Sequence, residues 1–421
     1  METQRRGYEN LLLVLLFFTV GFVFFDRLSI NFLFPFMRQE FGLTNSRIGM
    51  LTSVLALTWS VSGFVLSSYA DSRHRRKPVL IAAVIVFSLC SISSGLAGTF
   101  AVLLLARALM GLAEGPVLPV SQSLMAFASS ESRRGFNMGF IQASAGGLLG
   151  SVLAPAILVP LASTHGWRFA FYCAGIPGLI LALLLAVFVR EPRVGPTPET
   201  VTASIVSTRG FKEVLMTRNM IICVVMSCLF ITWFLAIVTF GPAYLLEQRH
   251  LSPGGMSVFM TVLGISSVIG GCAVPALSDR LGRKPTMIIF GIVAIFAPLV
   301  IAFLQGSFPV LCIAIFFAYL GYGCFPIFLA TIPAETVPTQ FVSRAIATVI
   351  GVGEIIGGFV SPTVVGFSAD AYGAAAPFII ASASVALAVL ASLFLAETAP
   401  RKVSLFKSAD SIVGGDSTPA L

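Results

Sequence analysis

Charge is what this sequence has least of. Asp, Glu, Lys and Arg make up 10% of its 421 residues, where a soluble domain carries about 25%. So small a supply cannot cover a surface with polar groups, which excludes a soluble globular enzyme and a disordered chain. Histidine is also scarce: His74, His165 and His250 all fall in predicted loops. The seven cysteines (Cys90, Cys173, Cys223, Cys228, Cys272, Cys312, Cys324) lie inside apolar runs and show no CxxC spacing. They read as small buried hydrophobes rather than disulfides or metal ligands. HExxH, a phosphate-cradling GxxxxGK and a nucleophile triad are all missing, so no catalytic residues, ATP hydrolysis, metal or cofactor are expected. The apolar runs lack the two-residue alternation of a porin-like barrel.

What is present is hydrophobic sequence, 57% of the chain. Apolar stretches of about 18 residues or more recur along the whole length, each able to span a bilayer core of about 30 Å. Hydropathy and breakers predict twelve helices, over 10–36, 46–70, 78–98, 101–127, 134–160, 167–189, 216–246, 254–277, 285–305, 308–333, 342–368 and 373–396. The first is read as a membrane helix rather than a signal peptide, because Asp26 and Arg27 interrupt it and no small-residue cleavage site follows. The longest polar stretch, within 190–213, separates the helices into two sets of six. The expected organisation is an N-terminal bundle (1–190), a linker (191–213), a C-terminal bundle (214–400) and a tail (401–421).

The net charge of +8 raises the possibility of nucleic acid, but its placement argues against it. With the N-terminus inside, twenty of the 26 Lys and Arg residues fall in cytoplasmic segments, four in outer segments and two within the membrane. This asymmetry predicts a multi-pass protein of the cell (inner) membrane with both termini cytoplasmic, its excess charge facing anionic lipid.

The two sets of helices repeat. Ala70-Asp71-Ser72-Arg73-His74-Arg75-Arg76-Lys77-Pro78 corresponds to Ser278-Asp279-Arg280-Leu281-Gly282-Arg283-Lys284-Pro285, with Asp71 and Asp279 208 residues apart. Helices 5 and 11 follow Arg134 and Arg344 and carry Gly146/Gly150 and Gly353/Gly357, a small-xxx-small spacing that permits close packing. Helices 6 and 12 end near Glu191 and Glu397. Three matches in one order at similar offsets point to duplication.

The paired Asp…Arg-Arg/Lys loops resemble the helix 2–3 signature of the major facilitator superfamily and its copy in helix 8–9. The second copy matches closely, while the first departs at Ser67, Ser72 and His74. The resemblance implies an all-α membrane protein of two pseudo-symmetric six-helix bundles. It also implies that Asp71, Arg75 and Arg76, with Asp279, Arg280 and Arg283, latch the halves in the outward-open state.

Charges at membrane depth cost several kcal/mol at least, so each is a functional hypothesis. Asp26 and Arg27 lie in helix 1, Arg107 and Glu114 in helix 4, and Glu354 in helix 11. At 1.5 Å per residue, Arg27 sits about 24 Å up helix 1 and Arg107 about 9 Å down helix 4, which places them at nearly one level. Two guanidinium groups there make an anion site, since each can grip a carboxylate with two hydrogen bonds. Glu114 follows Arg107 by seven residues and shares its face. Three acids against two arginines favour a group that titrates over mere packing pairs.

Phe25-Asp26-Arg27-Leu28-Ser29-Ile30 and Arg107-Ala108-Leu109-Met110-Gly111-Leu112-Ala113-Glu114-Gly115 resemble the anion:cation symporter family within that superfamily. Carried over, Arg27 and Arg107 bind the substrate carboxylate, and Asp26 and Glu114 couple protons. Glu354, the only acid deep in the second half, is a third proton-coupling candidate from its depth alone. Trp59, Gln122, Gln142, Trp233, Tyr244, Tyr319 and Tyr322 are candidates to complete the cavity, each as readily explained by packing. The expectation is a monomeric proton-coupled symporter of a small organic anion working by alternating access. The alternatives are a Spinster-like exporter of lysolipids or amphipathic compounds and, more remotely, a transporter-like sensor. A sensor would need a larger cytoplasmic segment than the linker and tail provide.

Overall fold

A computed structural model describes residues 2–130, 133, 137–138, 140–141, 146–192, 215–338 and 341–399. Among the described residues, eleven helices are long and apolar enough to cross a membrane. They are α1 (Arg6–Phe41), α2 (Asn45–Ala70), α3 (Arg76–Gly95), α4 (Phe100–Ala128), α5 (Gly147–His165), α6 (Trp167–Phe188), α7 (Arg218–Glu247), α8 (Pro253–Leu281), α9 (Arg283–Phe303), α10 (Phe308–Thr336) and α11 (Arg344–Tyr372). A shorter apolar helix, α12 (Ala376–Ser392), completes the predicted twelve. Large apolar side chains such as Phe64, Leu105, Leu183, Val187, Ile313 and Phe394 are exposed around the outside, as a lipid-facing surface requires. Of the cysteines read as buried, Cys90, Cys223 and Cys324 are buried, Cys173, Cys228 and Cys312 are half-buried, and Cys272 is exposed.

The tail (401–421) and residues 193–213 of the linker (191–213) lie outside the described residues, as do Gln142 and the side chain of Asp71. Neighbouring helices pack through glycine. On α4, a Cβ at Gly111 would strike Leu55 O and Thr58, and one at Gly115 would strike Trp59 O and Ser62. Ser62 Oγ also donates to Gly111 O at 3.2 Å. This close approach of α2 and α4 sets Trp59 beside the helix that carries Arg107 and Glu114.

The duplication is visible in three dimensions. Glu191, after α6, accepts from the amides of Arg76 (2.8 Å) and Lys77 (2.7 Å) at the start of α3. Glu397, after α12, accepts from the amides of Arg283 (2.7 Å) and Lys284 (3.2 Å) at the start of α9. Each carboxylate satisfies amides that a helix N-terminus leaves without intrahelical partners. Helices α5 and α11 both widen into π-helical turns, at Gly146–Leu153 and Glu354–Val360. Both turns precede a proline, Pro155 and Pro362, which cannot donate to the preceding turn.

The halves meet at the crossings α2–α11 and α5–α8. A Cβ on Gly49 would collide with the Pro362 carbonyl, and Thr363 Oγ1 donates to Ser53 Oγ at 2.8 Å. At the related crossing, Ser257 Oγ donates to the Pro155 carbonyl at 2.8 Å, and a Cβ on Gly264 would strike the Ser151 backbone. Asp370 of α11 accepts from the amides of Asn45 (3.0 Å) and Ser46 (2.8 Å), capping α2 across the interface. Arg38 of α1 pairs with Glu247 of α7. These contacts lie toward the end of the bundle opposite the basic α2–α3 and α8–α9 connections. The bundle is thus closed at one end.

Candidate substrate and ion site

Arg27 faces the interface between the halves midway along α1. Its Nη2 donates to Glu354 Oε2 of α11 at 3.3 Å, with side-chain exposures of 12% and 16%. The guanidinium carbon lies 5.1 Å from the centre of the Trp59 ring, a cation–π contact that weighs more when desolvated. Glu354 opens the π-helical turn of α11, an irregularity found often at functional sites. The packing of Gly353 and Gly357 on Ser227, Cys228 and Ile231 of α7 fixes the depth of that turn.

Behind Arg27 lies a second group. Asp26, Arg107 and Glu114 are all 0% exposed. Arg107 Nη1 is 3.5 Å from the main-chain oxygens of both Asp26 and Arg27, so the two arginines share a level, as the rise per residue predicts. Their guanidinium groups nevertheless do not converge on one seat. Arg107 points into the N-terminal half, with Nη2 3.4 Å from Ser29 Oγ and its guanidinium carbon 5.8 Å from the Phe171 ring centre. In this conformation it is closed off from the interface that Arg27 lines.

Asp26 Oδ1 accepts from Ser91 Oγ of α3 at 2.6 Å, while its Oδ2 has no hydrogen-bond partner. Both carboxyl oxygens of Glu114 are also without one. Glu114 ends the straight part of α4, next to Gly115 and Pro116. Ser29 and Ser91 escaped the sequence reading, since serines at helical spacing carry no signal of the carboxylate or guanidinium they face.

The aromatic candidates divide. Trp233 is fully buried, donates to Ala294 O at 3.0 Å and stacks on Tyr319 at 4.9 Å. Tyr319 is likewise fully buried. Tyr244 donates to Ala302 O at 3.1 Å, so both Trp233 and Tyr244 are engaged in packing within the C-terminal half. Tyr322 is half-buried, stacks with Tyr319 at 5.9 Å and lies tilted against Phe325 at 4.9 Å. Gln122 is half-buried on α4.

The sequence matches the Major Facilitator Superfamily over residues 16–307 and 222–413. The chain belongs to that superfamily. It is 28% identical over 343 residues to the protein named "Probable 4-methylmuconolactone transporter" of Cupriavidus pinatubonensis, covering 79% of this chain and 78% of that one. It is 27% identical over 385 residues to the cis,cis-muconate transport protein of Acinetobacter baylyi, covering 88% and 91%. In fold it is similar to a bacterial homologue of the lysosomal transporter Spinster, in an inward-facing and unoccupied conformation. That match has a TM-score of 0.76 at 18% identity, over 98% of this chain and 99% of the other. The superfamily and these relatives are transporters, so this is a multi-pass transporter of the major facilitator type and not an enzyme.

Asp279 and Arg283, two of the residues expected to form this transporter's latch, pair within their own half here. Arg283 meets Glu335 at 2.7 Å and Asp279 at 2.6 Å, all in the C-terminal half. Arg76 Nε donates to Ser123 Oγ at 2.8 Å in the N-terminal half, so a hydroxyl stands where the other half has a carboxylate. Arg75 and Arg280 are exposed.

Proposed function

We propose that this transporter is a proton-coupled symporter of a small organic anion, with Arg27 as the seat of the substrate carboxylate. The observation that carries the reading is the Arg27–Glu354 pair. A carboxylate from the opposite half already occupies one edge of the guanidinium, so a carboxylate ligand is the chemistry this position accommodates. The named substrates of the two relatives, a muconolactone and cis,cis-muconate, fit that chemistry.

Coupling follows from competition. An ionised Glu354 holds Arg27, and a proton on Glu354 releases it to the incoming anion. Behind the seat, Asp26 and Glu114 lie by the buried Arg107, while Arg27, whose charge Glu114 also feels, is paired with Glu354. Two ionised acids and one guanidinium would leave a net negative charge in a dry region, which is costly. A proton shared between these acids restores neutrality, and Arg107 links the group to the backbone that carries Arg27. The latch assignment of Asp71, Arg75, Arg76, Asp279, Arg280 and Arg283 belongs to this same reading, since those loops would meet only when the basic end closes.

The distribution of Lys and Arg supports a cytoplasmic basic end, both termini inside and residence in the inner membrane. The closed end then faces outward. We take the working unit to be the monomer, because each chain carries both halves of the site. Counterflow of labelled cis,cis-muconate in proteoliposomes tests the seat. Wild type exchanges it, and Arg27→Ala does not while keeping the wild-type thermal transition. Undiminished exchange by Arg27→Ala would overturn the assignment.

A further inference from the structure

We infer that the favoured substrate is a planar, unsaturated carboxylate rather than a saturated or polyhydroxylated one. The inference rests on Arg27 being the carboxylate seat, and it takes the rings of α7 and α10 at the same depth as the wall that faces the seat. Phe234 and Tyr322 are both half-buried, with ring centres 5.8 Å apart. Phe325 lies 6.0 Å from Phe234 and 4.9 Å from Tyr322. Phe230 continues the array, 5.8 Å from Phe325.

Two observations set this array at the depth of Arg27. Ile231, between Phe230 and Phe234, packs on Gly353 and Gly357, which flank Glu354, and Glu354 bonds Arg27. Counting rise per residue, Phe234 lies about 24 Å along α7 from Arg218 and Tyr322 about 21 Å along α10 from Thr336, both near the middle of the bundle. Pro326 shapes α10 here: it cannot donate to the Tyr322 carbonyl one turn earlier, and a 3₁₀ segment (Leu320–Gly323) and a π segment (Ile327–Thr331) flank it.

The chemistry of the two walls differs. On the N-terminal side stands one guanidinium with an indole over its face. On the C-terminal side stand ring faces and edges, with the Tyr322 hydroxyl as the polar group among these four rings. A sugar acid would bring several hydroxyls against such a wall and leave them without partners, a penalty that disfavours binding. A flat conjugated carbon skeleton presents a π-face that stacks on rings and needs no hydrogen bond, leaving its carboxylate for Arg27.

The test compares ligands matched in size and charge. Purified full-length protein in nanodiscs is titrated calorimetrically with cis,cis-muconate and its saturated six-carbon counterpart, hexanedioate. Benzoate and cyclohexanecarboxylate form a second pair, and gluconate is included. The inference expects each unsaturated acid to bind roughly tenfold more tightly than its saturated partner, the scale of one or two ring contacts. Phe234→Leu and Tyr322→Leu should each erase most of that difference by weakening the unsaturated acid more than its saturated partner, with a wild-type thermal midpoint showing that the fold is kept. Equal affinities within each pair, tighter binding of gluconate, or equal weakening of both pair members by the variants would overturn the inference and leave Arg27 as the seat. No binding by any carboxylate would overturn both.

Discussion

Arg27 and Glu354, 327 positions apart in the chain, meet at 3.3 Å across the interface of the two halves, midway through the membrane-spanning bundle. The pair joins two bodies that must move relative to each other in alternating access. It also occupies the group assigned to the substrate. Each property gives an expectation.

Glu354→Gln removes an internal competitor. Carboxylate affinity at neutral pH should then rise by roughly threefold to tenfold, the equivalent of about 1 kcal/mol for a partly exposed pair. Calorimetric titration of the purified variant checks this. Arg27→Lys should retain more affinity than Arg27→Ala but fall well below wild type, because an ammonium lacks the two-pronged donor geometry.

The buried trio predicts a pH signature. Arg107→Met removes the fully buried guanidinium beside Asp26 and Glu114, leaving Arg27 as the remaining counter-charge near Glu114, and should cost about 3–5 kcal/mol at neutral pH. Protonation at lower pH neutralises the acids, so the deficit should shrink as pH falls. Thermal unfolding in detergent at pH 5 and pH 8 measures it. A deficit that is equal at both values would contradict the charge-balance argument. Asp26→Asn and Glu114→Gln, which remove buried charge, should leave the transition unchanged or raise it.

The crossing of α5 and α8 makes a mechanical prediction. Gly264 faces the Ser151 backbone with no room for a Cβ. Gly264→Val should wedge the halves apart at the end that is closed here and reduce exchange severely. Overpacking of this kind typically costs about 1–3 kcal/mol. Cysteine accessibility at that end, compared with wild type, reads the shift; unchanged accessibility and exchange would rule out the tight crossing.

Glu397 and Glu191 should behave alike. Replacing either with Ala removes a cap from α9 or α3 and should lower stability by about 1 kcal/mol, measured as a fall in the thermal midpoint. Combining the two should give near-additive losses, since the caps lie in different halves.

Much of this architecture was legible in the chain. Scarce charge, twelve apolar runs and the repeated Asp71 and Asp279 loops gave the bundle and its duplication. Rise per residue placed Arg27 and Arg107 at one level, and their backbone contact agrees. Depth, however, says nothing of helix rotation. That is why the two arginines were expected to share one seat, while Arg107 turns inward toward Ser29 and Phe171. Glu354 was visible as a charge at membrane depth, but its partner lies in the other half and no local spacing connects them. The Ser91 support for Asp26, the Asp370 cap on α2 and the π-helical turns depend on tertiary packing, which hydropathy does not encode.

The most direct test of the central claim is accumulation of labelled cis,cis-muconate in proteoliposomes under an inwardly directed proton gradient, by wild type and by Glu354→Gln. The account predicts that wild type concentrates the anion above equilibrium and that a protonophore abolishes this. It predicts that Glu354→Gln binds and exchanges the anion yet loses most gradient-driven accumulation. Full accumulation by Glu354→Gln, or wild-type accumulation indifferent to the proton gradient, would contradict it.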